Sequence, residues 1–268
     1  MKALIIGCGS IGTVISKAAD KMIAVDKIFL YDLDVSRAKQ LKSNISKAEI
    51  VAKIDFNKID VDIVIEAASQ QAAKELIPKA LDYGIDAMIM SVGAFVDKKF
   101  QESCYTAVST KDCVALIPSG AVAGVDALKG ASKAKIEIVR LTSTKPPKGF
   151  TGVKYLQEKG VKVEEIKERT ILYSGPASQA VQLFPANVNV AATVSLAGIG
   201  FEKTLVEVVC DPTSNVNSHR LYAKGEFGEL EAMTKNLPSP DNPRTSYLAS
   251  LSAVSTLTSY INKIWIGM

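Results

Sequence analysis

The fold is decided by the first twelve residues, MKALIIGCGSIG at positions 1–12. A short apolar run, Ala3 to Ile6, leads directly into Gly-x-Gly-x-x-Gly, and a helix-like stretch follows from Thr13 to Asp20. In this motif the first glycine permits a tight turn, the second lets the backbone approach a pyrophosphate, and the third lets the helix pack closely on the strand. The helix N-terminus offers N–H groups to the phosphates. The motif predicts a bound dinucleotide, although a glycine turn in another α/β fold is the alternative. The predicted contacts are Gly7, Gly9, Ser10, Ile11 and Gly12.

The residue after the second apolar run indicates which dinucleotide is bound. Ile28–Tyr31 is followed by Asp32, twenty residues after Gly12. A carboxylate at this place binds the ribose 2′-hydroxyl of NAD and repels the 2′-phosphate of NADP. Arg37 and Lys39 lie close in sequence and are cations that tolerate such a phosphate. We therefore predict NAD as the preferred cofactor, with NADP also accepted.

Residues 1 to about 118 alternate apolar runs with helical patterns. This alternation predicts a parallel sheet with right-handed crossovers, a Rossmann-type doubly wound α/β fold. The predicted strands are Ala3–Ile6, Ile28–Tyr31, a short strand at Val51 and Ile54, Asp62–Glu66, Ala87–Met90 and Val114–Ile117. The predicted helices are Ile11–Ala19, Val35–Lys42, Gln70–Tyr83 and Phe100–Lys111.

Small residues follow the fourth and fifth predicted strands. Ligands of such sheets bind beyond the carboxyl ends of the strands, so these residues are candidates for cofactor binding. Ordinary turn residues are the alternative interpretation. The candidates are Ala67, Ala68, Ser91 and Gly93.

The character of the chain changes after Pro118, where a mixed α+β domain is predicted. It contains strands at Ile136–Thr142 and Val206–Cys210, a strand or helix at Lys162–Arg169, and a long helix at Ala177–Leu196. The tail, Thr245–Ile264, is predicted to be a helix that packs back on the first domain through one apolar stripe. That stripe consists of Leu248, Leu251, Val254, Leu257 and Ile261. We expect a dinucleotide-binding domain at residues 1–118 plus 241–268, and a substrate and dimerisation domain at 119–240.

Composition excludes several classes of protein. The net charge is +4 and the basic residues are scattered, which argues against a nucleic-acid partner. No apolar run approaches the ~20 residues that span a bilayer, and the N-terminus does not resemble a signal peptide. A metal site is not expected with a single histidine. The cysteines lack C-x-x-C spacing and are expected to be free thiols in the cytoplasm. They are Cys8, Cys104, Cys113 and Cys210.

His219, the only histidine, is the first catalytic candidate. We expect it in a polar, turn-rich loop, Asp211–His219, after the strand that ends at Cys210. Imidazole titrates near neutral pH and can both take and give a proton. Lys145, just before Pro146 and Pro147, is the competing acid or base. An ordinary loop histidine and a surface lysine are the alternatives.

Five segments from Ile117 onward carry a resemblance to a known family. They are Ile117–Ala121, Thr144–Pro147, Phe184–Ala191, Asp211–Pro212 with Asn217 and His219, and Leu237–Ser246. Together they resemble L-aspartate dehydrogenase, and the resemblance runs from Gly7 to about Val254. It implies oxidative deamination of L-aspartate to iminoaspartate with NAD or NADP, and in reverse the reductive amination of oxaloacetate with ammonia. It also implies a homodimer and a link to pyridine nucleotide biosynthesis. The family's catalytic histidine matches His219, and its cofactor contacts match Ala121 and Asn187.

The residue chemistry agrees with this resemblance. A dicarboxylate needs cations, for which Lys145 and Arg244 are the candidates, with Ser119 and the Gly120 backbone as further donors. Asn187 offers both a donor and an acceptor to a nicotinamide carboxamide. Two alternatives stay open at this point. One is a related dehydrogenase of the homoserine dehydrogenase or dihydrodipicolinate reductase type, and the other is a non-catalytic NAD-binding sensor.

Overall fold

The computed structural model describes residues 1–185, 189–239 and 242–267, with the side chains of 242–244 left out. The chain separates into two compact units. Among the described residues the first comprises Met1–Pro118 and Ala249–Trp265, and the second Ser119–Leu248 with Ile266 and Gly267. The first division falls where the sequence changes character. The second falls between Leu248 and Ala249 rather than between residues 240 and 241.

The helices and strands follow one another in two series. Up to Pro118 they are β1 (Lys2–Ile6), α1 (Ser10–Asp20), β2 (Lys27–Tyr31), α2 (Val35–Lys42), β3 (Ala48–Ile50), β4 (Ile63–Glu66), α3 (Gln70–Asp82), β5 (Asp86–Ile89), α4 (Lys98–Thr110) and β6 (Ala115–Leu116). They continue with α5 (Val125–Ala131), β7 (Ile136–Lys145), α6 (Lys154–Glu158), β8 (Thr170–Pro176), α7 (Ala177–Leu183), α8 (Asn189–Ala197), β9 (Leu205–Cys210), β10 (Asn217–Gly225), β11 (Gly228–Asn236), β12 (Pro238–Ser239), β13 (Asn242–Ser246) and α9 (Tyr247–Asn262).

The first unit contains a six-stranded parallel sheet in the order β3-β2-β1-β4-β5-β6. The predicted Rossmann-type doubly wound fold is therefore confirmed. Strand β1 lies between β2 and β4, and its residues from Ala3 to Ile6 are buried. Ile6 pairs with both Tyr31 and Glu66, so three strands end side by side at the start of the glycine loop.

One predicted strand of this sheet is wrong in position. Strand β3 occupies Ala48–Ile50, and residues 51–54 are irregular, although Val51 and Ile54 were expected to form it. The cause is that β3 is an edge strand whose Glu49 side chain is exposed and pairs with Lys27. An edge strand needs no continuous apolar run, so hydrophobicity alone places it badly.

Helix α9 packs on the core of the first unit, as predicted. Leu257 is fully buried in the core cluster, and Val254 and Ile261 pack against that cluster. Leu248 and Leu251 are exposed, and the small residue Ala253 is buried and lets the helix approach the sheet closely. The predicted stripe is therefore correct at its last three residues and wrong at Leu248 and Leu251.

The second unit contains a mixed five-stranded sheet in the order β11-β10-β7-β9-β8. Its strands pair antiparallel except for β7 and β9, so the predicted α+β class is confirmed. The predicted helix Ala177–Leu196 is two helices, α7 and α8. Phe184 leaves the helical conformation because Pro185 follows it. Residues 162–169 hold only a short 3-10 helix, Val163–Glu165, and the strand begins later, at Thr170.

No helix in the described ranges is both long enough and apolar enough to cross a membrane.

The packing of α9 is tested by a pair of leucine variants. Leu257→Ala removes a fully buried side chain and is expected to lower the free energy of unfolding by about 2–5 kcal/mol. Leu251→Ala, in the same helix with 41% of its surface exposed, is the control and is expected to cost less than about 1 kcal/mol. Thermal and denaturant unfolding measure both. Equal losses would contradict the observed orientation of the helix.

Candidate functional site

The three glycines of the loop after β1 have different reasons for lacking a side chain. Gly7 has φ of +97°, and a Cβ there would lie 2.6 Å from the carbonyl oxygen of Ala67. A Cβ on Gly12 would run into the carbonyl of Gly7. At Gly9 a Cβ would meet nothing within 4 Å. The outer glycines are thus required by packing, whereas Gly9 faces open space.

Helix α1 begins directly behind this loop. Gly9 is its N-cap, and Ser10 and Ile11 form its first turn. The positive end of the helix dipole therefore lies at the loop, which is the arrangement that binds anions at helix N-termini. The loop has both the space and the electrostatics that a dinucleotide phosphate requires.

Asp32 lies just beyond β2 and is held against the glycine loop. Its Oδ2 accepts a hydrogen bond of 2.7 Å from the Cys8 amide, and its Oδ1 accepts one of 2.9 Å from the Asp34 amide. The carboxylate is therefore held in one orientation. Burial, together with the charge of Asp32, raises the pKa of the Cys8 thiol to about 12, so this cysteine stays protonated and unreactive.

Glu66, the last residue of β4, is a residue that sequence reasoning missed. It is fully buried, and its carboxyl accepts hydrogen bonds from the Ala68, Ser69 and Ser91 amides and from the Ser91 hydroxyl, at 2.8–3.0 Å. Burial raises its pKa, and these hydrogen bonds oppose the rise. Glu66 thereby ties together the chain segments after β4 and β5. A glutamate that ends a wholly apolar parallel strand was the signal available in the sequence.

The predicted contacts Ala67, Ala68, Ser91 and Gly93 thus follow two neighbouring strands, with Gly93 inside a 3-10 helix at Val92–Val96. The first unit brings the sequence-predicted cofactor residues 7, 9–12, 32, 67, 68 and 91 to the carboxyl ends of its strands.

In the second unit, polar side chains occupy one end of a buried sheet face. Alternate residues of β7 and β10 are buried. In β7 they run Val139, Leu141, Ser143, Lys145, and in β10 Ala223, Leu221, His219, Asn217. Half of this inner face is apolar core, and the other half is polar. Buried polar groups gathered on one face require partners or a ligand.

His219 does not lie in a loop as predicted, because β10 begins at Asn217. Likewise β7 extends to Lys145, beyond the predicted end at Thr142. The physical reason is that the polar groups of the segment find buried partners. Asn217 Nδ2 donates to Ser246 Oγ at 3.4 Å, and His219 Nδ1 lies 2.9 Å from Ser143 Oγ.

The electrostatics of this polar end are unusual. Burial, reinforced by the charge of Lys145, lowers the pKa of His219 to about 3. Burial lowers the pKa of Lys145 to about 8, and Gly149 packs against its aliphatic stem. At pH 7 the imidazole is therefore neutral while the lysine is mostly charged. A neutral base beside a desolvated cation is an arrangement typical of functional sites.

The same sheet fixes the position of Ala121. Its carbonyl oxygen accepts hydrogen bonds from Thr234 Oγ1 at 2.7 Å and from Asn236 Nδ2 at 2.9 Å. Thr234 pairs with His219 and Asn236 pairs with Asn217 across β10 and β11. The predicted cofactor residue Ala121 and the predicted catalytic histidine are thus brought to the same end of one sheet. Neither Thr234 nor Asn236 was recognised in the sequence.

The structure describes four other predicted residues in less detail or not at all. Ser119 and Gly120 precede Ala121, and Gly120 has φ of +72° with Val190 beside it. Asn187 lies outside the described residues, and the side chain of Arg244, within β13, is also not described. In the part of the chain that the structure covers, no three His, Cys, Asp or Glu side chains are grouped to hold a metal ion.

The burial of Lys145 makes the free energy of unfolding depend on pH. In the unfolded chain the pKa returns to about 10.5, so between pH 8 and 10.5 the unfolded chain holds the proton that the folded chain has lost. The free energy of unfolding of the wild type should rise across that window. Lys145→Met lacks the rise and is expected to be more stable at pH 7 by up to about 3 kcal/mol. Unfolding measured from pH 7 to 10 tests this, and parallel pH profiles would contradict it.

Comparisons with known proteins agree with this geometry. A family model described as the C-terminal domain of aspartate dehydrogenase matches residues 126–260. A second, described as the NAD-binding domain of homoserine dehydrogenase, matches residues 7–118.

Relatives that match over nearly their full length are named L-aspartate dehydrogenase. The chain is 44% identical to an L-aspartate dehydrogenase of Methanosarcina barkeri and 45% identical to one of Methanosarcina mazei, each over the whole chain and 99% of the relative. Among solved structures, the aspartate dehydrogenase of Thermotoga maritima matches with a TM-score of 0.75 at 27% identity, over 100% of this chain and 98% of that one. The chain belongs to the L-aspartate dehydrogenase family.

Proposed function

We propose that the chain oxidises L-aspartate to iminoaspartate, which water converts to oxaloacetate and ammonia, and that it also catalyses the reverse amination. The observation that carries the proposal is the buried polar end of the second sheet, where a neutral His219 and a charged Lys145 lie together. Family membership points to the same reaction.

Lys145 is proposed to bind a carboxylate of the substrate. Burial has taken water away from its ammonium group, so an anion placed beside it gains more than it would at the surface. L-Aspartate carries two carboxylates. Arg244, Ser119 and the Gly120 amide complete the proposed set of substrate contacts, which supplies both cations and neutral donors.

His219 is proposed to be the base. Oxidation removes the Cα–H as a hydride and one proton from the substrate nitrogen, so that a C=N bond forms. The neutral imidazole can accept that proton, and after releasing it to solvent it can take a proton from the water that attacks the imine. The charge of Lys145 opposes formation of an imidazolium, and a bound carboxylate offsets that opposition.

NAD supplies the hydride acceptor when bound, and the residues of the chain hold and orient it. The open space over Gly9 and the start of α1 support a pyrophosphate site there, and the fixed carboxylate of Asp32 supports a contact with the ribose. The remaining proposed contacts are Gly7, Ser10, Ile11, Gly12, Ala67, Ala68, Ser91, Gly93, Ala121 and Asn187.

The proposal is tested by NADH formation with a panel of amino acids. L-Aspartate is expected to be the best substrate, ahead of L-homoserine. His219→Ala should lower kcat by roughly 10²–10⁴-fold while NADH still binds. Ser218→Ala alters the neighbouring residue, which lies on the other face of β10, and is the matched control with near-wild-type turnover.

Two outcomes would overturn the proposed reaction, and a third would overturn the role of His219. Faster turnover of L-homoserine would indicate an enzyme of the homoserine dehydrogenase or dihydrodipicolinate reductase type, with Lys145 as the proton carrier. Binding of NADH without turnover of any amino or hydroxy acid would indicate a sensor. Unchanged kcat in His219→Ala would remove the histidine from the mechanism.

We infer a preference for NAD over NADP from the fixed carboxylate of Asp32. Arg37, which pairs with Asp34 at 3.5 Å, is an exposed cation in α2. We infer that it allows the site to accept some NADP by offsetting the charge of the 2′-phosphate. The KM for NAD⁺ should be lower than that for NADP⁺ by about 10-fold or more, which corresponds to about 1.4 kcal/mol. Asp32→Asn should reduce the ratio of the KM for NADP⁺ to the KM for NAD⁺. A KM for NADP⁺ well below that for NAD⁺ would contradict the assignment.

We further propose a homodimer that works in the cytoplasm and feeds iminoaspartate to pyridine nucleotide biosynthesis. The family resemblance is the support for the dimer, and the outer face of the second sheet, where Arg220, Tyr222 and Met233 are among the residues lining a hollow of about 1070 Å³, is the proposed interface. All four cysteines are buried free thiols, which suits a reducing compartment. Sedimentation at the mass of one chain would contradict the dimer, and a periplasmic or secreted location would contradict the compartment.

A further inference from the structure

Ser143 has a buried hydroxyl to which the proposed reaction assigns no role. Its side chain is 1% exposed and lies directly opposite His219, itself 3% exposed, in the antiparallel register of β7 and β10. Directly opposed residues of antiparallel strands bring their Cβ atoms within about 5 Å of each other. The 2.9 Å distance between Ser143 Oγ and His219 Nδ1 is an ordinary hydrogen bond that follows from this register.

The protonation state of the imidazole restricts what this hydrogen bond can be. Burial and the charge of Lys145 keep the ring neutral at working pH, so it carries a single N–H. Either Nδ1–H donates to the serine oxygen, or the serine hydroxyl donates to Nδ1. In the first arrangement Nε2 has a free lone pair, whereas in the second Nε2 carries the proton and cannot act as a base.

Only the first arrangement survives proton transfer unchanged. When Nε2 takes a proton, both nitrogens of the imidazolium become donors. Ser143 Oγ then still accepts from Nδ1, and neither the ring nor the hydroxyl has to turn. In the second arrangement the hydroxyl would have to rotate away before the ring could be charged.

We propose that Ser143 is a positioning residue that holds His219 as the Nδ1–H tautomer and so presents Nε2 as the proton-accepting nitrogen. The proposal deepens the function proposed above and rests on the role of His219 in it. Ser143 touches neither substrate nor cofactor in this account. It acts through the imidazole, as an orienting partner does in other histidine-dependent enzymes.

Nitrogen NMR of histidine-labelled protein tests the proposal directly, because the chain has one histidine and both ring signals therefore come from His219. Couplings of the ring nitrogens to the two carbon-bound ring protons distinguish Nδ1 from Nε2. The wild type at pH 7 is expected to show a protonated Nδ1 and an unprotonated Nε2. A protonated Nε2 in the wild type would overturn the proposal. This readout requires neither turnover nor a variant that folds.

Variants then connect the tautomer to catalysis. Ser143→Ala is expected to populate the Nε2–H tautomer and to lower kcat by about 10- to 100-fold, part of what acid–base catalysis contributes, with the KM for NAD⁺ unchanged. Ser143→Thr keeps the hydroxyl and should restore the tautomer and most of kcat. Thr144→Val, on the opposite face of β7, is the control with unchanged kcat and tautomer.

The outcomes separate this proposal from the function on which it rests. A wild-type tautomer and kcat in Ser143→Ala would overturn the positioning role even if L-aspartate is the substrate. If the tautomer behaves as expected but L-aspartate is not oxidised, the proposed function fails while the Ser143–His219 hydrogen bond stands.

Discussion

The antiparallel register between β7 and β10 is the constraint on which the candidate site depends. Alternation along each strand places Ser143, Lys145, Asn217 and His219 on the inner face, and the register sets Ser143 opposite His219. A slip of one residue in either strand would turn its polar residues to the outer face. The site is thus positioned by the backbone pairing of eight residues of β7 with β10, and its precision comes from a sheet rather than from a loop.

Burial of this polar cluster opposes stability and favours chemistry. The neutral imidazole and the desolvated ammonium are both consequences of the same exclusion of water. Surface groups would titrate near their ordinary pKa values and would bind a dicarboxylate weakly. The first unit also buries an ionisable group, Glu66, whose carboxyl holds two chain segments together through their backbone amides. In both units a buried charged or polar group is retained although its burial carries a desolvation cost.

Local features of the sequence predicted the first unit well and the second unit less well. The glycine loop and Asp32 are readable because turn geometry and a fixed spacing specify them. His219 was chosen correctly as a candidate by its chemistry but placed in a loop, because Asn and Ser favour turns when no partner is known. The partner Ser143 lies 76 residues away, and no local window reveals it. The predicted stripe of α9 was wrong at Leu248 and Leu251 for a related reason, since adjacent faces of that helix are both apolar and only packing selects Ala253 over Leu251.

The proposed chemistry depends on His219 being a neutral base within a buried polar cluster. A pH titration of the single histidine by NMR in the ligand-free protein measures this protonation state. We expect the ring to stay neutral from pH 8 down to about pH 5, because burial and the charge of Lys145 lower its pKa to about 3. A titration midpoint near the ordinary value of 6.5 would show a solvated histidine and rule out this role.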